Sequence, residues 1–379
     1  MTMRAYRYLV VGGGMTGDAV CTGIHDADPE GSIGLVGEEA FPPYKRPPLT
    51  KGLWKDGDES KIWRNVEEHG ADIVLGRCIV SIDPATHTAL DDAGDEYAYE
   101  RLVLATGGTP RRLDGAGDDV IYFRTLADYR RVRALSDEGA RFLVVGGGFI
   151  GSEIAAALRS QGRDVTMVFP DEGLGWRTFP PGLAHYVADY YRERGVDLRP
   201  GTTFESAEGF DAVVAGVGIV PRTELAESAG LPVDDGIVVD VYGRVEGQDD
   251  IFAAGDVARF PMPALGKSGR VEHEDHANTH GRLVGANAGG ACERYEHLPF
   301  FYSDLFDLGY EAVGDLDSRQ DAVELWLEPN KKGVVAYVDG DAHPRGFLLW
   351  NVWGKVDAAR DLIRAAGPID EETLRGLAG

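Results

Sequence analysis

Through most of the chain, apolar residues come in short unbroken blocks closed by glycine or acidic residues. The block YLVV (8–11) runs into three glycines and then a helical stretch, and FLVV (142–145) does the same. Each predicts an apolar strand, a glycine turn and a helix start. The first helix ends near Asp28 and Pro29 and leads into the strand SIGLVGEE; the second stops at Gly162 and leads into VTMVF (165–169). Strand, crossover helix and parallel strand make a βαβ unit of about 30 residues, and such units build doubly wound parallel sheets. Alternating strands rich in Val, Ile and Thr fall around residues 73–99, followed by RLVLATGG (101–108). The acidic stretch DDAGDEYAYE reads as a solvated hairpin. From about Phe300 the texture changes to short strands, EAVGDL, AVELWLE and GVVAYVDG, and then to the helical VDAARDLIRAAG. This predicts a small C-terminal α+β domain.

The glycines carry the first chemical signal. Gly12, Gly14 and Gly17 form G-x-G-x-x-G, and Gly146, Gly148 and Gly151 repeat it. The first glycine permits a tight turn, the second lets backbone approach a pyrophosphate, and the third lets helix pack on strand. Amides and dipole at the helix start hold the negative charge. A dinucleotide also needs an acid about 20 residues on for its ribose hydroxyls. In the first copy Glu38 fits, with Glu39 as its neighbour. In the second, Asp171 or Glu172 follows the strand and favours NADH, while Arg177 keeps a 2′-phosphate, and so NADPH, open. Two loops ask for two dinucleotides, and the expected fold class is α/β with two Rossmann-like domains.

Composition narrows the partners. The 63 acidic residues against 38 basic ones give a formal charge of −25 over 379 residues, a field that repels nucleic acid and anionic membrane. No apolar run is long enough for a membrane helix. The first strand starts so near Met1 that no signal or transit peptide is expected, which points to the cytoplasm. The cysteines, Cys21, Cys78 and Cys292, have no redox or metal-ligand spacing, so no metal is expected.

Four stretches, YKRPPLTKGLW (44–54), LATGGTPRRL (104–113), VVGGGFIGSE (144–153) and IFAAGDVA (251–258), resemble the FAD-dependent pyridine nucleotide oxidoreductases. The pattern is that of ferredoxin reductases and apoptosis-inducing factor. RVEHEDHANTHGRLVGANAGG, FFYSDLFDLGYEAVG and LLWNVWGKVDAARDLI look most like the latter branch. The resemblance implies a glutathione reductase-like arrangement. An FAD-binding domain would comprise residues 1–113 and 240–298, an NAD(P)H-binding domain 114–239, and the α+β domain 299–379. By this resemblance the first loop and Glu38 hold FAD, Arg46 and Lys51 line the flavin, and Gly255 and Asp256 meet its ribityl chain. Ala105, Thr106, Gly107 and Gly218 belong to the cofactor-contacting turns. Asp256 also ends a strand after two small residues and a glycine, where backbone approaches a polyol closely; the other reading is a helix N-cap before VARF. Glu153 falls on the first turn of the second helix, where an acid suits the dipole. In the family it pairs with the lysine beside flavin N5, placing a cation where charge develops on reduction. Glu272 and His273 match residues at the nicotinamide and flavin edge, and His276 and His280 follow at helical spacing without a metal-ligand pattern. Tyr302 stands where the family usually carries tryptophan. Lys51, Glu153, His273 and Tyr302 are the expected catalytic residues.

The acceptor is read from what is missing. RPPLTKGLW contains no cysteine, which argues against a thiol relay. Hydride from the nicotinamide would reach flavin N5, and electrons would pass directly to a carrier, with a ferredoxin or rubredoxin expected ahead of quinone or oxygen. Arginines 130, 131 and 133, or 111 and 112, offer local positive charge for docking on an otherwise acidic chain. The alternatives are an apoptosis-inducing-factor-like NADH oxidase or quinone reductase, and an NADH-responsive redox sensor. A monomer or homodimer fits either.

Overall fold

The computed structural model describes residues 3–379, the Glu67 side chain apart. Within it the chain forms two compact units, one of residues 3–45, 59–109 and 220–299, the other of 46–58, 110–219 and 300–379.

The first unit is built on a seven-stranded sheet. Strands Met3–Val11, Ile33–Gly37, Ala71–Leu75, Glu96–Leu104 and Ile251–Ala253 run parallel. An antiparallel hairpin of Ile79–Asp83 and Thr88–Asp91 extends the sheet past Glu96–Leu104. The expected solvated hairpin is there, but its arms are not merely wet. Tyr97 is buried and donates its hydroxyl to the buried Asp91 carboxylate at 2.9 Å. The blocks YLVV and RLVL lie side by side in register, Tyr8 opposite Arg101 and Val11 opposite Leu104. Burial on both faces explains why these strands read as continuous apolar runs. Helix Met15–Ala27 covers one face and packs against helix Glu274–Ala288. The two helices meet backbone to backbone. A side chain at Gly23 would strike the Arg282 carbonyl, and one at Gly285 the Val20 carbonyl.

The second unit holds two sheets. The first is five-stranded and parallel, in the order Asp197–Pro200, Val165–Phe169, Phe142–Val145, Ala212–Ala215, Ile121–Tyr122. Its helices are Leu126–Asp137, Phe149–Ser160 and Pro181–Glu193. The second sheet is antiparallel, with Phe300–Leu305 at one edge, then Leu308–Gly314, Pro344–Trp350, Lys332–Val338 and Asp321–Glu328. Helices Val356–Ala365 and Glu371–Ala378 accompany it. Thus the α+β texture expected from Phe300 onward is an antiparallel sheet with two helices. The segment 46–58, which carries RPPLTKGLW, belongs to this unit. Trp54 stacks edge-on against Tyr129 at 5.5 Å, and Tyr129 donates its hydroxyl to the Leu53 carbonyl at 3.0 Å.

Candidate active site

The two glycine turns are conformational copies. Gly12 and Gly146 sit at φ 126° and 116°, values open to glycine and costly for any residue with a Cβ. A Cβ on Gly12 would also overlap the Ala105 carbonyl, and one on Gly146 the Gly216 carbonyl. The third glycines match as well: a Cβ on Gly17 would run into the Gly12 carbonyl, and one on Gly151 into that of Gly146. Both helices start from a glycine N-cap, Gly14 and Gly148, with no side chain bonded to the first turn. Two other helices are capped from within, with Thr125 accepting from the Asp128 amide and Asp370 from that of Thr373, while the helices that follow Pro180, Thr223, His273 and Lys355 have no side-chain cap. The two glycine starts therefore leave helix-end amides for an outside acceptor. A Cβ at Gly148 would meet nothing within 4 Å, so space lies open at that turn. Both turns fit a pyrophosphate.

Around the first turn, Ala105 donates its amide to the Val11 carbonyl at 2.8 Å, which aligns LATGG with the strand Met3–Val11. The Thr106 hydroxyl bonds the Arg222 carbonyl at 2.8 Å, and the Arg222 amide bonds the Gly107 carbonyl at 3.0 Å. Glu38, the expected ribose acceptor, pairs through its carboxylate with the Arg222 guanidinium. Arg222 lies far along the chain, and spacing gave no sign of it. Asp18, buried on helix Met15–Ala27, pairs with Arg64, another partner without a sequence signal. Asp256 lies in the turn Gly255–Val257 and caps no α-helix; its carbonyl accepts from Arg270 at 2.8 Å. Arg270 also holds Glu272 at 2.9 Å. His273 is the N-cap residue of helix Glu274–Ala288.

Behind this loop lies a dry aromatic stack. His276 and His280 are both fully buried, with ring centroids 4.7 Å apart, and Phe260 stacks on His276 at 4.5 Å. The Gly255 amide donates to His280 Nδ1 at 3.2 Å, so the neutral ring carries its proton on Nε2. Desolvation pushes His280 down to about 3, and His273 down to about 4 against the pull of Asp256 and Asp275. It also holds His276 well below its ordinary value, with repulsion from the neighbouring imidazoles added. A histidine depressed in the native state binds its proton more readily when unfolded. Stability is therefore complete above pH 6.5 and falls as pH drops through the window toward about 3. We expect thermal unfolding at pH 5 to fall well below that at pH 7.5, and His280→Asn to flatten the dependence. A midpoint that holds steady between those values in the unsubstituted protein would contradict the burial argument. Among the described residues no group of His, Cys, Asp and Glu could hold a metal ion.

In the second unit, Lys51 and Glu153 form an ion pair, Nζ to Oε2 at 2.6 Å. Glu153 lies beyond the first turn of its helix, which has no acid there, so the dipole reading does not account for it. Its side chain is only 4 % exposed, and that of Lys51 13 %. The ammonium also sits 5.3 Å from the centre of the Tyr302 ring, within cation–π range. Sequence reasoning missed two further partners. Thr50 Oγ1 donates to Glu153 Oε2 at 2.5 Å, and Ser303 Oγ to Oε1 at 2.6 Å. Adjacency to Lys51 and to Tyr302 was their only signal. Arg46 donates to the Arg124 carbonyl at 2.9 Å. At the second turn, Asp171 faces Arg177 at 3.6 Å, and Glu172 is exposed. Gly218, at φ 90°, accepts from the Arg111 amide at 2.9 Å.

A family model described as pyridine nucleotide-disulphide oxidoreductase matches residues 6–281. The chain belongs to this family. Membership brings FAD and a nicotinamide nucleotide as cofactors, which the two glycine turns fit. The chain is 33% identical to the ferredoxin–NAD(+) reductase component of the anthranilate 1,2-dioxygenase system of Burkholderia cepacia, over 98% of this chain and 97% of that protein. It is 29% identical to apoptosis-inducing factor 1 of Dictyostelium discoideum, over 97% of this chain and 80% of that one. The crystal structure of the ferredoxin reductase for the CYP199A2 system from Rhodopseudomonas palustris aligns at TM-score 0.89 and 28% identity, covering 98% of this chain and 100% of the other. No helix among the described residues is long and apolar enough to cross a membrane.

Proposed function

We infer that the chain is an NADH-dependent flavoprotein reductase that passes electrons straight to a small carrier of the ferredoxin or rubredoxin type. The reading rests on the Lys51–Glu153 pair. Its lysine stands on a segment, 46–58, with no cysteine, so RPPLTKGLW presents a cation held by Glu153 and no thiol to relay electrons. Burial pushes the Cys21 thiol well up, which leaves it inert at neutral pH. Similarity to the reductase component of a dioxygenase system, over nearly all of both chains, supports the acceptor class.

In this reading the first unit holds FAD through Gly12, Gly14 and Gly17, with Glu38 and Asp256 as hydroxyl acceptors and Glu272 and His273 at the nicotinamide and flavin edge. The second unit holds the nicotinamide nucleotide through Gly146, Gly148 and Gly151. Bound FAD supplies the two-electron to one-electron conversion between nicotinamide and carrier. Lys51 brings a positive charge to the place where the family carries its N5 lysine, and a preorganised charge there favours reduction. Glu153 keeps that charge in position. We place the enzyme in the cytoplasm, as monomer or homodimer.

Asp171 is the residue we assign to NADH preference. Its carboxylate can accept from both ribose hydroxyls and would repel a 2′-phosphate. Asp171→Ala should raise the KM for NADH about tenfold, the scale of one lost charged hydrogen bond. The preference for NADH over NADPH should narrow by a similar factor in steady-state ferricyanide assays. An unchanged ratio would remove Asp171 from the assignment.

The central test is anaerobic. NADH should bleach the purified flavoprotein stoichiometrically, and an added ferredoxin or rubredoxin should restore its colour within a turnover. Bleaching by NADH with no reoxidation by any such carrier, but rapid reoxidation by quinone or oxygen, would move the assignment to the oxidase reading that similarity to apoptosis-inducing factor favours.

A further inference from the structure

Glu153 is bonded more completely than an ion pair requires. A carboxylate is acceptor-only, and a buried Lys–Glu pair that uses one oxygen leaves the other facing the interior, where an unmet acceptor is costly. Here both oxygens are filled. Oε2 takes Lys51 Nζ and Thr50 Oγ1, and Oε1 takes Ser303 Oγ. Thr50 is 6 % exposed and Ser303 1 % exposed, so neither hydroxyl has bulk water as an alternative partner. Hydroxyl-to-carboxylate bonds of this length are the charge-assisted kind, about twice as strong as neutral ones.

The three donors come from two places in the chain. Thr50 and Lys51 are neighbours on the segment 46–58, and Ser303 lies on the edge strand Phe300–Leu305 of the antiparallel sheet. The terminal torsion of a glutamate is soft, with a broad minimum. A lysine and a threonine sharing Oε2 hold one end of the carboxylate and leave its plane free to rotate. Ser303 removes that freedom from the other end. Next to it, Tyr302 places its ring 5.3 Å from the Lys51 ammonium. Consecutive residues of one strand thus touch the two members of the pair, Tyr302 the cation and Ser303 the anion.

We propose that Ser303 is a positioning residue for hydride transfer, acting through Glu153 to fix the site of the Lys51 charge. The inference rests on the reductase reading above. It gives the antiparallel sheet a part in the redox site that the glycine motifs do not touch.

The test uses FAD-loaded protein, with Ser303→Ala, the conservative Ser303→Thr, Glu153→Gln and the Ser303→Ala/Glu153→Gln double variant. In anaerobic stopped-flow, Ser303→Ala should lower the limiting rate of reduction by NADH about tenfold and leave half-saturation unchanged. Ser303→Thr should recover most of that rate. In the Glu153→Gln background the serine change should cost nothing further, because its effect runs through the carboxylate. The flavin midpoint potential, measured by dye equilibration, should move to more negative values in Ser303→Ala, as one donor no longer offsets the Glu153 charge. Equal and additive losses from the two substitutions, or an unchanged rate and potential in Ser303→Ala while Glu153→Gln is impaired, would overturn the proposal and leave the reductase reading standing. An unsubstituted protein that NADH never reduces would instead end the reductase reading, and this inference with it.

Discussion

Gly17→Ala should yield a protein that purifies without colour, its FAD content less than a tenth of the unsubstituted level, whereas Gly151→Ala should stay yellow and no longer be reduced by NADH. Both substitutions add one methyl group at the same step of the same turn. Each Cβ would fall on a carbonyl oxygen of its own loop, Gly12 in the first case and Gly146 in the second. Relief requires either the helix to lift off its strand or the turn to open, and each moves the amides that face the pyrophosphate. The two phenotypes differ because, in the proposed reading, the loops serve different nucleotides, so the pair assigns each loop independently. FAD content follows from the absorbance of the purified protein after heat release of the flavin, and nicotinamide binding from anaerobic titration. If Gly151→Ala lost the flavin and Gly17→Ala kept it, the order of the two loops would be reversed.

Removing Glu153 should be among the most destabilising single changes in the second unit. Glu153→Ala strands the Lys51 ammonium in a site where its side chain is 13 % exposed, and it leaves the hydroxyls of Thr50 and Ser303 without their acceptor. Breaking a buried pair by deleting one partner costs about 3–5 kcal/mol, far more than the pair itself contributes over an apolar replacement. The signature is an asymmetry. Glu153→Ala should lower the denaturant midpoint strongly, and adding Lys51→Met should recover much of the loss, since the stranded charge goes with it. Urea unfolding followed by far-ultraviolet circular dichroism measures both. A double variant no more stable than Glu153→Ala would show that the cost lies in the cavity and not in the charge.

The layout of both nucleotide turns was legible because it is written locally. Strand, three glycines and helix occupy consecutive residues, and the first and last glycines of each motif answer a contact made within the same turn or with the chain just past the neighbouring strand. Lys51 and Glu153 came from the family resemblance, and their pairing brings together residues that no periodicity connects. Their surroundings were not legible. Thr50 and Ser303 carry hydroxyls that read as ordinary strand or turn residues until three segments converge on one carboxylate. Glu38 shows the same limit from the other side. Its place after the second strand follows from spacing, but its partner Arg222 stands 184 positions away, and only chain closure sets them together. The histidines at 276 and 280 had helical spacing and an acidic neighbourhood, yet their burial against Phe260 and Tyr295 depends on packing from the strand Ala258–Met262 and from the loop that follows their own helix. Charge and composition excluded partners without pointing to any of these contacts.

The glycine seam between helices Met15–Ala27 and Glu274–Ala288 bears on how such a chain can change over evolutionary time. Backbones that touch have no side chains between them to exchange, so this joint has nothing to trade and drift there meets an immediate steric barrier. Adaptation to a different redox partner would have to be written elsewhere, on surface positions that no neighbouring main chain crowds.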